Sequence, residues 1–203
     1  MGKYKLTYFN ARGFAEVSRI ILKLNGQDFE DVRVDSETWP KMKQDTPQGK
    51  LPVLEVDGKK IPQSSAIYRY LAGEFDLYGD DKEDKLKIDI IIATIEDLWP
   101  PMIKIAFGEN EEIKNAAKKK MEEEVIPYVM EYLTKELKNN TNGWLVGKRM
   151  TLADLIFFTA TDQVAVGFPD FIEKYQELKT LKNKISEVPQ IKAWLEKRPV
   201  TVH

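Results

Sequence analysis

The stretch Gly49-Lys50-Leu51-Pro52-Val53-Leu54-Glu55-Val56-Asp57-Gly58, with Gln63-Ser64 shortly after it, decides how this chain is read. Val53 to Val56 is a short β-branched and apolar run that suits a strand, and Asp57-Gly58 tolerates the positive φ angles of a two-residue hairpin turn. Lys59 to Ile61 is then expected to pair back antiparallel. Leu51 stands before Pro52, so its backbone is biased to the extended region, and X-Pro is the common setting for a cis bond. An extended residue with free N–H and C=O groups at a sheet margin can take on a peptide as an extra strand. Gln63 and Ser64 fall where a helix begins. Ser64 suits the N-cap, and the N–H groups of a helix start attract a carboxylate. These features point to a site for a small anionic peptide.

Composition narrows what surrounds that site. The chain has 203 residues, enough for a substantial core and two small domains. Its 31 basic and 33 acidic side chains leave a formal charge of −2, which gives no electrostatic footprint for nucleic acid. Cysteine is absent, so disulfides, thiolate metal sites and a cysteine nucleophile are excluded, and any redox chemistry must come from a bound molecule. The one histidine, His203, forms no catalytic or metal constellation, and no metal is expected. The start, Met1-Gly2-Lys3-Tyr4-Lys5-Leu6, enters a strand-like alternation and lacks the apolar core of a signal peptide. No apolar run approaches the ~20 residues of a membrane span. A soluble cytoplasmic protein without a membrane or nucleic-acid partner is expected. Lys118-Lys119-Lys120 reads as a solvated helix face.

Tyr4 to Tyr8 alternates at period two, and Ala15 to Leu24 sets Val17, Ile20, Ile21 and Leu24 on one helical face ended by Asn25-Gly26. Phe29 to Val34 is a second strand. A loop with Trp39, Lys43 and Pro47 leads to the hairpin, and Ser65 to Phe75 closes the unit as a helix. The order β-α-β, loop, β-β-α is that of thioredoxin-like domains, with a mixed four-stranded sheet. After the polar segment Tyr78 to Lys82, everything reads as helix: Glu83 to Trp99, stopped or kinked by Pro100-Pro101; Glu111 to Leu137; the most apolar one, Thr151 to Val166; then Leu178 to Glu187 and Pro189 to Lys197. Thr151 and Asp154 have capping-box spacing, with Met150 and Leu155 at staple spacing. The chain therefore divides into an α/β domain over residues 1–78 and an all-α domain over 83–203.

That architecture resembles the cytosolic glutathione transferases over essentially the whole chain, and its details look like the sigma class. That class includes insect detoxification transferases and the haematopoietic prostaglandin D synthase. The matching stretches are Tyr4 to Asn10, Trp39-Pro40 with Lys43, Gly49 to Gly58, Gln63-Ser64, Asp97, Thr151-Leu152-Ala153-Asp154 and Lys197-Arg198-Pro199. On the residues alone, Tyr8 reads first as a half-buried strand aromatic. The resemblance implies that it is the catalytic tyrosine, a neutral phenol donating to the sulfur of glutathione. The thiol, with a pKa of about 8.5, is otherwise only a few per cent ionised at neutral pH. The resemblance also implies that Leu51, beside a cis Pro52, bonds the cysteinyl backbone. Trp39, Lys43 and Lys50, near Gly49, would hold the glycyl end, and Gln63 and Ser64 the γ-glutamyl carboxylate. Asp97 shares a helical face with Asp89 and Glu96, a pattern usual for a wet surface. As a ligand to the γ-glutamyl ammonium it implies a homodimer, reaching across from the partner subunit.

The second substrate is expected to be a hydrophobic electrophile above Tyr8, lined by Phe9, Gly13, Phe14, Trp99, Met102, Ile103 and Phe107. The resemblance implies conjugation of glutathione to such electrophiles, including lipid-peroxidation aldehydes. A glutathione-dependent prostaglandin D isomerase and a non-catalytic ligand carrier or crystallin-like protein are the alternatives. Phe14 and Lys104 stand where the prostaglandin synthase has arginine and a pocket tryptophan, and Ala93 replaces an aspartate of its metal-linked acidic cluster. These departures argue against a dedicated prostaglandin D synthase.

Overall fold

A computed structural model describes residues 4–201, which fall into two compact units. Met1-Gly2-Lys3 and His203 lie outside the described residues. In the first unit, β1 (Tyr4–Phe9) pairs parallel with β2 (Phe29–Val34) and antiparallel with β3 (Val53–Val56), which pairs antiparallel with β4 (Lys59–Pro62). The sheet order β2-β1-β3-β4 places β1 and β3 in the centre. Both supply fully buried side chains there: Leu6 and Leu54 face each other across the pair. The hairpin between β3 and β4 turns through Asp57 at φ 49° and Gly58 at φ 83°, the two positive angles this turn type needs.

A short 3-10 turn, Gly13–Ala15, leads into α1 (Glu16–Leu24), whose Val17, Ile20, Ile21 and Leu22 are buried. The Trp39 segment, expected as a loop, contains one helical turn, α2 (Trp39–Met42), with Pro40 in its first turn where no N–H is needed. The hairpin is followed by α3 (Ser64–Glu74), which buries Ile67 and Leu71. The residues from Ser186 onward also belong to this unit, whereas the sequence groups them with the other helices. They include α10 (Pro189–Lys197), and the physical link is Glu16 of α1, whose carboxylate accepts from Trp194 Nε1 at 2.9 Å and from Arg198 Nη1 at 3.0 Å.

The second unit, Tyr78–Ile185, is helical. Asp81 caps α4 (Lys82–Glu96) by accepting from the Asp84 N–H at 2.9 Å. Pro100 and Pro101 do separate two helices, but they sit in the first turn of a further helix, α5 (Trp99–Phe107). The long charged stretch is α6 (Glu111–Lys120) and α7 (Ile126–Asn139), joined through a π turn at Met121–Val125. Pro127 has no N–H for the carbonyl four residues back, and the preceding turn widens so that the Ile126 N–H reaches the Met121 carbonyl.

The core helix is α8 (Leu152–Gly167), buried almost all round through Thr161 and therefore lacking a polar face; α9 (Gln176–Ser186) follows. Its start carries the capping box. Asp154, fully buried, accepts from the Thr151 N–H at 2.8 Å, the Thr151 hydroxyl at 3.0 Å and the Leu145 N–H at 2.9 Å. Burial nonetheless pushes its carboxyl up to about 6. Among the described residues no helix is long and apolar enough to cross a membrane.

Candidate active site

Sheet register gathers much of the expected site at one edge. The ladder ends with Thr7 opposite Val53 and Val53 opposite Pro62. Next in the chain at these ends come Tyr8 within β1, Pro52 just before β3 and Gln63 just after β4. The Leu51-Pro52 bond is cis. Leu51 is half-buried, Pro52 buried, and Gln63 exposed at the start of α3. Residues far apart in the chain thus meet at the ends of β1, β3 and β4.

One detail of the helix start corrects the reading from sequence. Ser64 is the first residue of α3, and Gln63 is the N-cap, with φ 73° and no side-chain cap bond. Ser64 therefore presents its N–H at the helix start, where an anion is favoured, rather than capping it. Gln63 holds a backbone conformation that costs a non-glycine residue about 1–3 kcal/mol. Its amide is oriented toward Gln48, with Nε2 donating to Oε1 at 2.6 Å.

The Tyr8 side chain is 8 % exposed. The Phe14 N–H donates to its Oη at 3.3 Å. The approach of the turn is close enough that a Cβ on Gly13, at φ 38°, would lie 2.6 Å from Oη. A hydroxyl has one donor and two lone pairs, so a phenol that accepts from Phe14 keeps its proton for another acceptor. Burial raises the Tyr8 pKa above its usual value, with the Phe14 N–H and the Arg19 charge pulling the other way. The phenol is thus neutral, and a donor, at physiological pH.

Around this phenol, the Phe9 ring makes edge contacts with Tyr8 and with Trp39, each at 5.5 Å between centroids. Phe9 therefore links two expected glutathione contacts as well as being partly exposed. Phe14 is also exposed. Lys43 and Lys50 are exposed, and the Lys43 stem passes over Gly49, whose Cβ would lie 3.6 Å from Lys43 Cε. Asp97, Trp99, Met102, Ile103 and Phe107 belong to the second unit: Asp97 is exposed at the end of α4, and the rest lie on α5. Positions 99, 103 and 107 share one helical face, and Ile103 and Phe107 are exposed, Phe107 by 81 %. Among the described residues no group of three His, Cys, Asp or Glu side chains could hold a metal ion.

Reasoning from sequence passes over Arg19, which is fully buried and has its guanidinium centre 6.0 Å from the Tyr8 ring. The available signal was Glu16 and Arg19, two opposite charges at i, i+3 within the apolar face of a helix. It also misses the backbone N–H of Phe14, which no side-chain pattern encodes.

A thioredoxin-like domain with this edge site, followed by an all-helical segment, defines a two-part transferase architecture. Comparison with known families agrees. Residues 4–73 match the glutathione S-transferase N-terminal domain, and residues 96–198 match its C-terminal domain. Glutathione S-transferase 3 of Caenorhabditis elegans is 37 % identical over 99 % of both chains. The hematopoietic prostaglandin D synthase of Homo sapiens is 35 % identical over 99 % of both. The solved prostaglandin synthase D of Nilaparvata lugens superposes with a TM-score of 0.92 at 37 % identity, covering 98 % of this chain and all of that one. The chain belongs to the glutathione S-transferase family, enzymes whose co-substrate is glutathione.

Proposed function

We propose that this protein is a sigma-class, homodimeric, cytoplasmic transferase that conjugates glutathione to hydrophobic electrophiles, lipid-peroxidation aldehydes among them, in a detoxification role. The observation that carries the reading is the buried, neutral Tyr8 phenol with its oxygen oriented by the Phe14 N–H. Tyr8 keeps its proton and donates a hydrogen bond to the glutathione sulfur, which stabilises the thiolate, lowers the thiol pKa and lets the thiol proton pass to solvent at neutral pH; each unit is worth ~1.36 kcal/mol. The thiolate attacks the electrophilic carbon, a C–S bond forms, and the leaving group or an enolate takes the electron pair.

Main-chain groups of Leu51 beside cis Pro52 hold the cysteinyl unit. Trp39, Lys43, Gly49 and Lys50 hold the glycyl end, where the lysines face its carboxylate. Gln63 and the Ser64 N–H take the γ-glutamyl carboxylate, and Asp97 of a second subunit takes the ammonium. Phe9, Gly13 and Phe14, beside the phenol, contact the electrophile.

A Tyr8→Phe variant keeps its affinity for immobilised glutathione and loses most turnover with a chloronitrobenzene. Unchanged turnover refutes the role of Tyr8. The second reading, a glutathione-dependent prostaglandin D isomerase, is favoured by the prostaglandin synthases among the relatives. Phe14 and Lys104 count against it, and formation of prostaglandin D2 from prostaglandin H2 separates the two. A ligand carrier without catalysis is rejected by measurable specific activity.

A further inference from the structure

Beneath the phenol lies a buried ionic network that the proposed chemistry does not itself use. Arg19 Nη1 donates to the Ala11 carbonyl at 2.8 Å, the Arg12 carbonyl at 3.3 Å and Glu16 Oε2 at 3.1 Å, while Nε donates to Asp31 Oδ1 at 2.9 Å. Each carboxylate is shared by two guanidinium groups: Glu16 between Arg19 and Arg198, and Asp31 between Arg19 and Arg33. Trp194 Nε1 adds a third grip on Glu16. These groups, with Arg12 on the turn itself, are the charges around Arg19 on β2, α1, the β1–α1 turn and the C-terminal segment.

A fully buried arginine is poor evidence for stability, because desolvating such a network offsets most of its attraction and an apolar replacement is often neutral. What it does supply is geometry. The planar fork fixes several acceptors at once, and two of those acceptors are the Ala11 and Arg12 carbonyls, on the turn that leads into Gly13 and Phe14. The same charge lies 6.0 Å from the ring whose oxygen would touch sulfur.

We propose that Arg19 is a positioning residue for Tyr8: it clamps the Ala11 and Arg12 carbonyls, holds the turn that brings the Phe14 N–H to the phenolic oxygen, and is itself braced through Glu16 by Trp194 and Arg198. The inference rests on Tyr8 as the donor to sulfur. It makes the C-terminal segment a determinant of thiol ionisation, acting through Glu16 and Arg19.

The test titrates the thiol of bound glutathione by its ultraviolet thiolate absorbance, alongside the pH profile of kcat/KM, in full-length protein. Arg19→Lys keeps the charge and loses the fork; its thiol pKa rises by about one unit, a roughly tenfold loss of kcat/KM at pH values below the pKa, with KM for glutathione nearly unchanged. Trp194→Phe removes one N–H from Glu16 and shifts the pKa the same way by about a third of a unit, roughly twofold in rate. In a Tyr8→Phe background Arg19→Lys adds no further shift, because its effect passes through the missing hydroxyl.

If Arg19→Lys does not fold, the Trp194→Phe titration decides alone. A thiol pKa unmoved in the variants, or an equal shift in the Tyr8→Phe background, overturns the positioning role while leaving Tyr8 intact. A Tyr8→Phe protein whose thiol titrates like wild type overturns the reading of Tyr8 itself, and the proposal with it.

Discussion

Replacing Gly13 with alanine tests whether the position of the phenol, and not merely its presence, sets the rate. The new Cβ would lie 2.6 Å from Tyr8 Oη, 2.8 Å from Cε1 and 3.1 Å from Cζ. Carbon contacts settle at about 3.5–4.0 Å, so the ring must retreat by roughly 1 Å. It has little room to do so: the side chain is buried, its oxygen is bonded to Phe14, and Arg19 lies under its face. The left-handed backbone, φ 38°, adds about 1–2 kcal/mol for a residue with a Cβ, and overpacking adds about 1–3 kcal/mol. A displacement of about 1 Å at a reacting group costs on the order of 100-fold in rate. Gly26→Ala is the matched control, since Gly26 has φ 61° and open space around its Cβ position. It bears only the backbone cost of about 1–2 kcal/mol and keeps full kcat. The assay is kcat/KM for conjugation, with thermal unfolding of both variants to separate strain from displacement. Gly13→Ala activity within about twofold of Gly26→Ala would refute the argument that phenol geometry governs catalysis, since the expected displacement predicts a far larger loss.

Other consequences follow from the same structure. Asp154 has a folded-state pKa of about 6, above its usual value of 3.8. Its protonated form therefore favours folding, and that contribution, roughly 3 kcal/mol, is complete below pH ~4 and lost as pH rises through ~6. The unfolding free energy of wild type relative to Asp154→Asn should fall across that window; a difference flat with pH rejects the burial argument. Gln63→Gly relieves the backbone at φ 73° and is expected to raise the melting temperature slightly, by about 1 kcal/mol of stability, while weakening glutathione binding several-fold. A variant that binds glutathione as tightly as wild type removes Gln63 from the site. Tyr8→Phe and Arg19→Lys, described above, complete the set.

Much of this fold is written locally. The Asp57-Gly58 turn, the period-two alternation of Tyr4 to Tyr8, and the Thr151–Asp154 box depend on neighbours within a few residues, so propensity and spacing suffice to read them. Elements were missed or shifted where one residue has two local uses. Pro100 and Pro101 end one helix and equally begin the next, because a first turn has no use for their missing N–H groups. Pro127, within the stretch read as one helix, widens the preceding turn and marks the join of α6 and α7. Ser64 has the composition of a cap, yet the backbone angle of Gln63 moved the cap back by one residue.

By itself the sequence determined the strand order, most of the helices, the hairpin and its turn, and the residue types proposed to hold a tripeptide thiol: a phenol, an X-Pro corner, lysines and a polar helix start. Only the tertiary structure decided that Tyr8 lies at the same end of the sheet as Pro52 and Gln63, because the β1–β3 register is a relation between segments more than forty residues apart. It alone placed a buried guanidinium under the phenol and tied Glu16 to Trp194 and Arg198. Burial strengthens electrostatics by excluding water, and how much water is excluded depends on the whole packed unit, which no local pattern of residues encodes.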